Sequence, residues 1–311
     1  MANKLSTAPY GADRLNDLSK YIYGTTRLGD DKIPLQERVK IARLAMNSGV
    51  WFHTSHNYGD ALKVLRLAFD EDRAHVPKTI IKIGSTSIDE PRKVIKLNIE
   101  PLNIDHIDLG QICLGGEVAE QFRTGGKCYD EFRRIKEEGL IRRFVVEVFP
   151  WTSKAPLEAL RSGFGADIID GYIFYLNPLQ RFASNELWDL IQARNAPIIA
   201  MRTVSGGDVH RLRDVPGAAW KDYLRQRAVE VAPIFERSGC KTWTEFCVRF
   251  AFGFKQVRAT VGSTSNEPNL RAFLNAAKDI KPLAQEIQSE IVRLQYRWSD
   301  ELDVHAEPWS M

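Results

Sequence analysis

The most constraining feature of the chain is an alternation. Short apolar runs recur eight times, each separated from the next by a segment of helical period, and together they fill nearly all 311 residues. The runs lie at about 20–26, 50–54, 78–84, 106–113, 142–149, 168–175, 197–203 and 257–263. Several are continuous rather than alternating in polarity, as in Pro197-Ile198-Ile199-Ala200-Met201. That pattern suits parallel strands covered by helices on their outer face. Helical segments are expected near 35–48, 58–72, 89–99, 129–138, 153–162, 184–194, 219–238, 242–253 and 282–297. In the first, Val39, Ala42, Leu44 and Ala45 share one side, leaving Arg38, Lys40 and Arg43 for solvent.

Eight strands alternating with helices predict an α/β (β/α)8 TIM barrel. A doubly wound open sheet competes. However, no G-x-G-x-x-G turn follows the first strand, and no linker or spare length marks a second unit. Residues 1–311 are therefore read as a single barrel domain, with 1–18 and 300–311 as terminal extensions.

Composition narrows the function classes. Lys+Arg 43 against Asp+Glu 40 gives +3, too balanced for a nucleic-acid binder. No apolar run approaches the ~18 residues of a membrane span, and the first residues lack the apolar stretch of a secretory signal. The cysteines at 113, 128, 240 and 247 form no C-x-x-C pair, which predicts neither a disulfide framework nor a zinc site. The expectation is a cytoplasmic protein with a small-molecule substrate, no nucleic-acid or membrane partner and no metal. Its oligomeric state is not legible.

Active-site groups of such a barrel come from the C-terminal ends of its strands. Two of them carry charge where apolar residues are expected. Lys82 interrupts Thr79-Ile80-Ile81-Lys82-Ile83, and Glu147 interrupts Val145-Val146-Glu147-Val148-Phe149. Each needs a partner or a polar cavity. They could form a salt bridge inside the barrel, or line a functional pocket. The second strand runs into His53-Thr54-Ser55-His56-Asn57-Tyr58, offering two imidazoles and a phenol. A phenol beside a lysine is a candidate general acid, because the cation stabilises phenolate. Two histidines three apart are weak evidence for a metal. Cys113 is either a nucleophile or, more commonly for such a cysteine, a core residue. Gly206-Gly207 and Gly262-Ser263, at the ends of the last two strands, could admit a phosphate to backbone amides or could be plain turns. The loops at 114–126 and 205–219, the tail Asp303–Trp309 and Trp151 are candidate covers of the mouth.

The order of these segments resembles the aldo-keto reductases, over roughly residues 20–280. Tyr23-Gly24-Thr25-Thr26-Arg27-Leu28-Gly29 looks like the family's opening strand. Ala45–Ser55 with Tyr58-Gly59 looks like its aspartate-threonine-alanine and tyrosine-glycine signature. Asp105–Leu109, Gly139–Arg143, Thr242–Phe246 and Val261-Gly262-Ser263 are similar to its fourth strand, its lead into strand five and its closing segment. The resemblance implies carbonyl reduction with NADP(H), with Tyr58 as the acid and Lys82 as its partner. At the family's aspartate and histidine positions stand His53 and Cys113. Glu147-Val148 stands where a serine-asparagine pair holds the nicotinamide amide, and the strand-six glutamine falls near Ile173. The catalytic set implied is thus Tyr58, Lys82, His53, Cys113 and Glu147. The cofactor set is Thr25, Arg202, Ser205, Gly206, Gly262, Ser263 and Thr264. Two other readings compete. One is a cofactor-independent isomerase, lyase or hydrolase built on Lys82, Glu147, Tyr58 and His53. The other is a non-catalytic binding or scaffold protein.

Overall fold

Tyr21–Gly24 (β1) pairs in parallel with Trp51–Thr54 (β2) on one edge and with Val257–Ser263 (β8) on the other. The second pairing closes the sheet. Between them run Thr79–Ile83 (β3), Leu109–Cys113 (β4), Phe144–Val148 (β5), Ile169–Asn177 (β6) and Ile198–Met201 (β7). Each strand pairs in parallel with the next in sequence. The result is the (β/α)8 barrel that the alternation of apolar runs predicts. A two-residue antiparallel return at Gln180–Arg181 folds back on the end of β6. The computed structural model describes residues 10–11, 14–84, 90–113, 118–121, 126–149, 154–163, 165–204 and 221–305.

The helices covering the barrel are Leu35–Met46 (α1), Ala61–Glu71 (α2), Pro91–Leu102 (α3), Lys127–Glu137 (α4), Lys154–Ser162 (α5), Asn185–Ala193 (α6), Lys221–Arg237 (α7), Trp243–Ala251 (α8), Glu267–Ala276 (α9) and Gln285–His305 (α10). Packing assigns the two faces of the strands. Phe52 meets Phe69 of α2, Phe144 meets Phe132 of α4, and Phe174 meets Trp188 of α6. Those positions face outward. With a side-chain period of two, His53, Val145, Glu147, Ile173 and Tyr175 face the barrel interior. Its lower part is apolar, with Ile22, Ile80, Val145, Ile173 and Ile199 fully buried.

The sequence reading departs from this fold at several points. Helix α9 was not expected; Asn266 caps it by accepting a hydrogen bond from the Asn269 amide, with Pro268 in the first turn. Helix α10 runs past the expected end at 297 to His305. Arg38 is not on the solvent face. It is buried, and its Nη1 donates to the Leu28 carbonyl at 2.9 Å. Residues 14–18, read as part of an extension, pack against the barrel. Leu15 and Leu18 are buried, and Arg14 Nη1 donates to the Ile169 carbonyl at 3.0 Å.

One departure positions the site. Helix α2 starts at Ala61 rather than 58, leaving Tyr58-Gly59 in the preceding loop. That loop lies backbone to backbone against the one after β1. A Cβ on Gly29 would stand 1.9 Å from the Tyr58 carbonyl oxygen, and one on Gly59 would stand 2.6 Å from the Gly29 oxygen. Only glycine permits such an approach. The two glycines thus fix the backbone that carries Tyr58.

Candidate active site

Two polar pairs are stacked inside the barrel, each skipping a strand. His53 on β2 bonds Gln111 on β4, Nε2 to Oε1, at 2.6 Å. Lys82 on β3 bonds Glu147 on β5, Nζ to Oε1, at 3.0 Å. Barrel interiors fill in layers supplied by alternate strands, so the even-strand pair and the odd-strand pair occupy successive layers.

The lower pair is neutral. His53 and Gln111 are both buried. Burial, helped by the nearby Lys82 charge and opposed by the bond to Gln111, pushes the His53 pKa down to about 4. At neutral pH the imidazole carries no charge and its Nε2–H donates to Gln111. The Gln111 amide nitrogen has no hydrogen-bond partner among the described residues. A consequence follows for stability. The unfolded chain takes up a proton at His53 as pH falls below about 6.5, whereas the folded protein resists until about 4. The stabilisation is therefore complete above the unfolded value and is lost on acidification. Between pH 7 and 5 it should decline by about 2 kcal/mol. Urea unfolding at both pH values should show that extra loss in the wild type and not in His53→Gln. Equal losses in the two proteins would refute it.

The upper pair is charged. Side-chain exposure is 19% for Lys82 and 7% for Glu147, so both have left bulk water. Burial alone would lower the lysine pKa; Glu147, together with the Tyr58 and Tyr175 phenols, more than reverses this and holds the ammonium above its ordinary range. The Tyr58 phenol lies within the influence of the Lys82 and Thr26 side chains. Its pKa is raised by burial and by Glu147, with Lys82 opposing, so it is a protonated phenol at neutral pH. Cys113 is paired in register with Glu147. Burial and that carboxylate push its thiol up to about 11, which favours the thiol over the thiolate at neutral pH.

Two further groups complete the mouth. Tyr175 on β6 lies within the electrostatic reach of Lys82, Glu147 and Tyr58. The Arg202 guanidinium sits 5.0 Å above its ring. Arg202 follows β7 with φ +49°. That left-handed conformation costs a non-glycine residue about 1–2 kcal/mol. Its carbonyl is held by the Asn177 side-chain amide at 3.0 Å, and the Asn177 carbonyl by Gln295 of α10 at 2.8 Å. Tyr175 and Gln111 stand out by neither charge nor motif in the sequence. The usable signal was parity, since both share the inward face with Glu147.

The candidate cofactor positions are tied into the protein. Thr25 is fully buried, its Oγ1 lying 2.8 Å from Thr54 Oγ1 and 3.1 Å from the His53 carbonyl. Gly262 admits the Phe273 ring of α9, which a Cβ would meet at 2.4 Å. Ser263 Oγ accepts from the Arg27 amide at 3.0 Å, and Thr264 Oγ1 from the Asn266 amide at 3.1 Å. His56 faces Asn98 of α3. Ser205, Gly206, Gly207, Trp151, Trp309, most of the 114–126 loop and the 205–219 loop lie outside the described residues. Among the described residues, no group of three or more His, Cys, Asp or Glu could hold a metal, and no helix is long and apolar enough to cross a membrane.

Residues 20–295 match the model of the aldo/keto reductase family. Comparison with curated proteins finds no match. Solved structures share the fold. An aldo-keto reductase from Bacillus halodurans, in its holo form, is 21% identical over 89% of this chain and 92% of its own, with a TM-score of 0.69. One from Klebsiella pneumoniae, in complex with NADP and acetate, is 15% identical over 90% and 92%, with a TM-score of 0.66. A third, from Pseudomonas aeruginosa, is 19% identical over 84% and 90%, with a TM-score of 0.59.

Proposed function

The chain belongs to the aldo/keto reductase family, and we propose that it is a divergent member that reduces a carbonyl with NADP(H), using Tyr58, Lys82 and Glu147 as its proton-handling unit. The observation that carries this reading is the cluster of Tyr58, Lys82 and Glu147 at the C-terminal mouth, in which Lys82 bonds Glu147 at 3.0 Å and the Lys82 charge acts on the Tyr58 phenol.

In the family pattern the lysine's carboxylate is an aspartate on the second strand. Here that position is His53, a neutral residue bonded to Gln111. Glu147, two strands from Lys82, supplies the negative charge instead. The carboxylate has moved around the barrel, and the lysine has kept one.

The same substitution bears on the nicotinamide. Glu147, Val148 and Ile173 stand where the family places hydrogen-bonding side chains. Of the three only Glu147 is polar. Its contact with Lys82 uses Oε1, and an ionised carboxylate has about four lone-pair sites. Glu147 therefore fits as an acceptor for a carboxamide N–H2, with the remaining contacts supplied differently from the family pattern. When bound, NADPH supplies the hydride to the carbonyl carbon. Tyr58 donates its Oη proton to the carbonyl oxygen. Lys82 stabilises the phenolate left behind, and Glu147 keeps Lys82 in the charged form this requires. His53 and Gln111, in the layer beneath, support the reacting groups without taking up charge.

A second reading draws on the same carboxylate. An acid and a base 3.0 Å apart in one mouth also suit proton transfer next to a carbonyl without any nicotinamide. Titrating the protein with NADPH separates the two readings, followed by tryptophan quenching and checked by calorimetry. The reductase reading expects a micromolar Kd, about −8 kcal/mol. No binding up to millimolar NADPH would remove that reading and leave the second.

A further inference from the structure

The turn after β7 is held from the far side of the fold. Arg202 has φ +49°, the left-handed conformation that glycine adopts freely and an arginine does not. The kink is one residue long. Met201 is still in register with Tyr175 of β6, and the Thr203 amide again donates to the Val261 carbonyl of β8, at 3.4 Å. Arg202 belongs to the cofactor set that the family resemblance implies. In barrels of this class the loops after the last two strands frequently hold phosphate groups. The direction in which the chain leaves β7 therefore bears on the dinucleotide.

Two buried amides hold the kink in relay. Asn177 Nδ2 donates to the Arg202 carbonyl at 3.0 Å, while Asn177 Oδ1 accepts from the Leu179 amide at 2.9 Å. The Asn177 carbonyl accepts in turn from Gln295 Nε2 of α10 at 2.8 Å. Asn177 is fully buried, and Gln295 is 2% exposed. Packing alone does not account for a glutamine at 295. Its Oε1 has no hydrogen-bond partner among the described residues, a cost that an apolar side chain of similar size would not carry. The bond to Asn177 is what this amide adds. Helix α10 is anchored on both sides of that point. Asn185 of α6 donates to the Tyr296 carbonyl at 3.1 Å, and Trp298 Nε1 donates to Glu230 of α7 at 3.2 Å. Strained backbone kept in place by its neighbours is a recurrent mark of functional sites.

We propose that Asn177 and Gln295 are positioning residues for the dinucleotide. Through them, α10 keeps the turn after β7 in the left-handed conformation that receives it. Both act on the backbone at 202, whatever the Arg202 side chain itself contacts. The inference rests on the reductase reading, because it takes NADPH as the ligand.

Two measurements test it. NADPH is titrated by calorimetry into the wild type, Asn177→Ala and Gln295→Met. Hydrogen exchange of the cofactor-free proteins is followed over residues 198–204, with each variant also made in an Arg202→Gly background. Glycine keeps a positive φ without help, so that background removes the need for the relay. Asn177→Ala should weaken NADPH about 10-fold, the loss expected of one buried hydrogen bond. Gln295→Met, one step further away and close in volume, should weaken it about 3-fold and keeps the test open if the alanine variant folds poorly. Exchange over 198–204 should rise in both variants, with β1 and α2 unchanged, and should not rise in the glycine background. A merely structural role at the Gln180–Arg181 return would raise exchange equally in both backgrounds, and that result would overturn the proposal. So would exchange over 198–204 unmoved by either change. NADPH affinity unmoved by both changes would overturn it while leaving the reductase reading intact. A wild type that does not bind NADPH would remove the reductase reading and this inference with it.

Discussion

Glu147→Ala should destabilise the protein by about 3 kcal/mol, whereas the double variant Glu147→Leu/Lys82→Met should come within about 1 kcal/mol of the wild type. The asymmetry follows from what each change leaves behind. Removing one partner of a largely buried ion pair strands the other charge away from water, which costs about 3–5 kcal/mol. The mouth position and the 19% exposure of Lys82 put this pair at the lower end of that range. Replacing both partners by apolar residues of similar volume removes the stranded charge along with the attraction. Such swaps are often neutral or even stabilising. Urea unfolding at pH 7 of the wild type, the single variants and the double variant measures the coupling directly. A loss below about 0.5 kcal/mol for Glu147→Ala would mean that the pair is screened like an ordinary surface bridge. The picture of a charged layer sealed over a neutral one would then fail.

The pair also shows how much of this molecule is legible in its sequence. Lys82 and Glu147 stand out as charges inside apolar runs, and the period of two places each on the inward face. Their mutual contact is not local information. It depends on the barrel closing so that β3 and β5 approach across β4, and only the fold supplies that. His53–Gln111 was harder to foresee. Both residues are uncharged, neither disturbs its strand's pattern conspicuously, and they lie 58 positions apart. The eight strands were readable because runs buried on both faces have no polar alternation to dilute them. Helix α9 was not, because its start, Asn266-Glu267-Pro268-Asn269, is rich in residues that equally signal a turn. Arg38 was misplaced for a related reason. Helical periodicity assigns a cation to solvent by default, and the Leu28 carbonyl that draws this one inward belongs to another segment. The left-handed backbone at Arg202 has no sequence signature at all, since the residue that would announce it is glycine.

Tyr58→Phe should lower kcat by about 10²–10⁴-fold while leaving NADPH affinity and the melting temperature nearly unchanged. The Tyr58 phenol is protonated at neutral pH and is coupled to a cation that stabilises its conjugate base. A positioned general acid contributes rate enhancement of that order. The variant keeps the ring, its packing and the glycine-pinned loop, and deletes only the hydroxyl. What is lost is the interaction of the hydroxyl with Lys82 and Thr26. Lys82 retains Glu147, so no buried charge is stranded and the fold should tolerate the change. The effect on kcat also distinguishes the roles in the cluster. Glu147→Gln keeps the shape but removes the charge that holds Lys82 protonated. It should reduce kcat less than Tyr58→Phe at neutral pH, and it should make the activity fall at a lower pH on the alkaline side, as Lys82 loses its proton earlier. The direction follows from the sign of the Glu147 contribution, which raises the lysine pKa. Steady-state kinetics against a series of aldehydes and ketones, from pH 6 to 10, would read both effects. A Tyr58→Phe enzyme with undiminished kcat would remove the phenol from the chemistry and shift the acid role to Lys82 itself. An alkaline limb unmoved by Glu147→Gln would show that the relocated carboxylate is structural and does not tune the lysine.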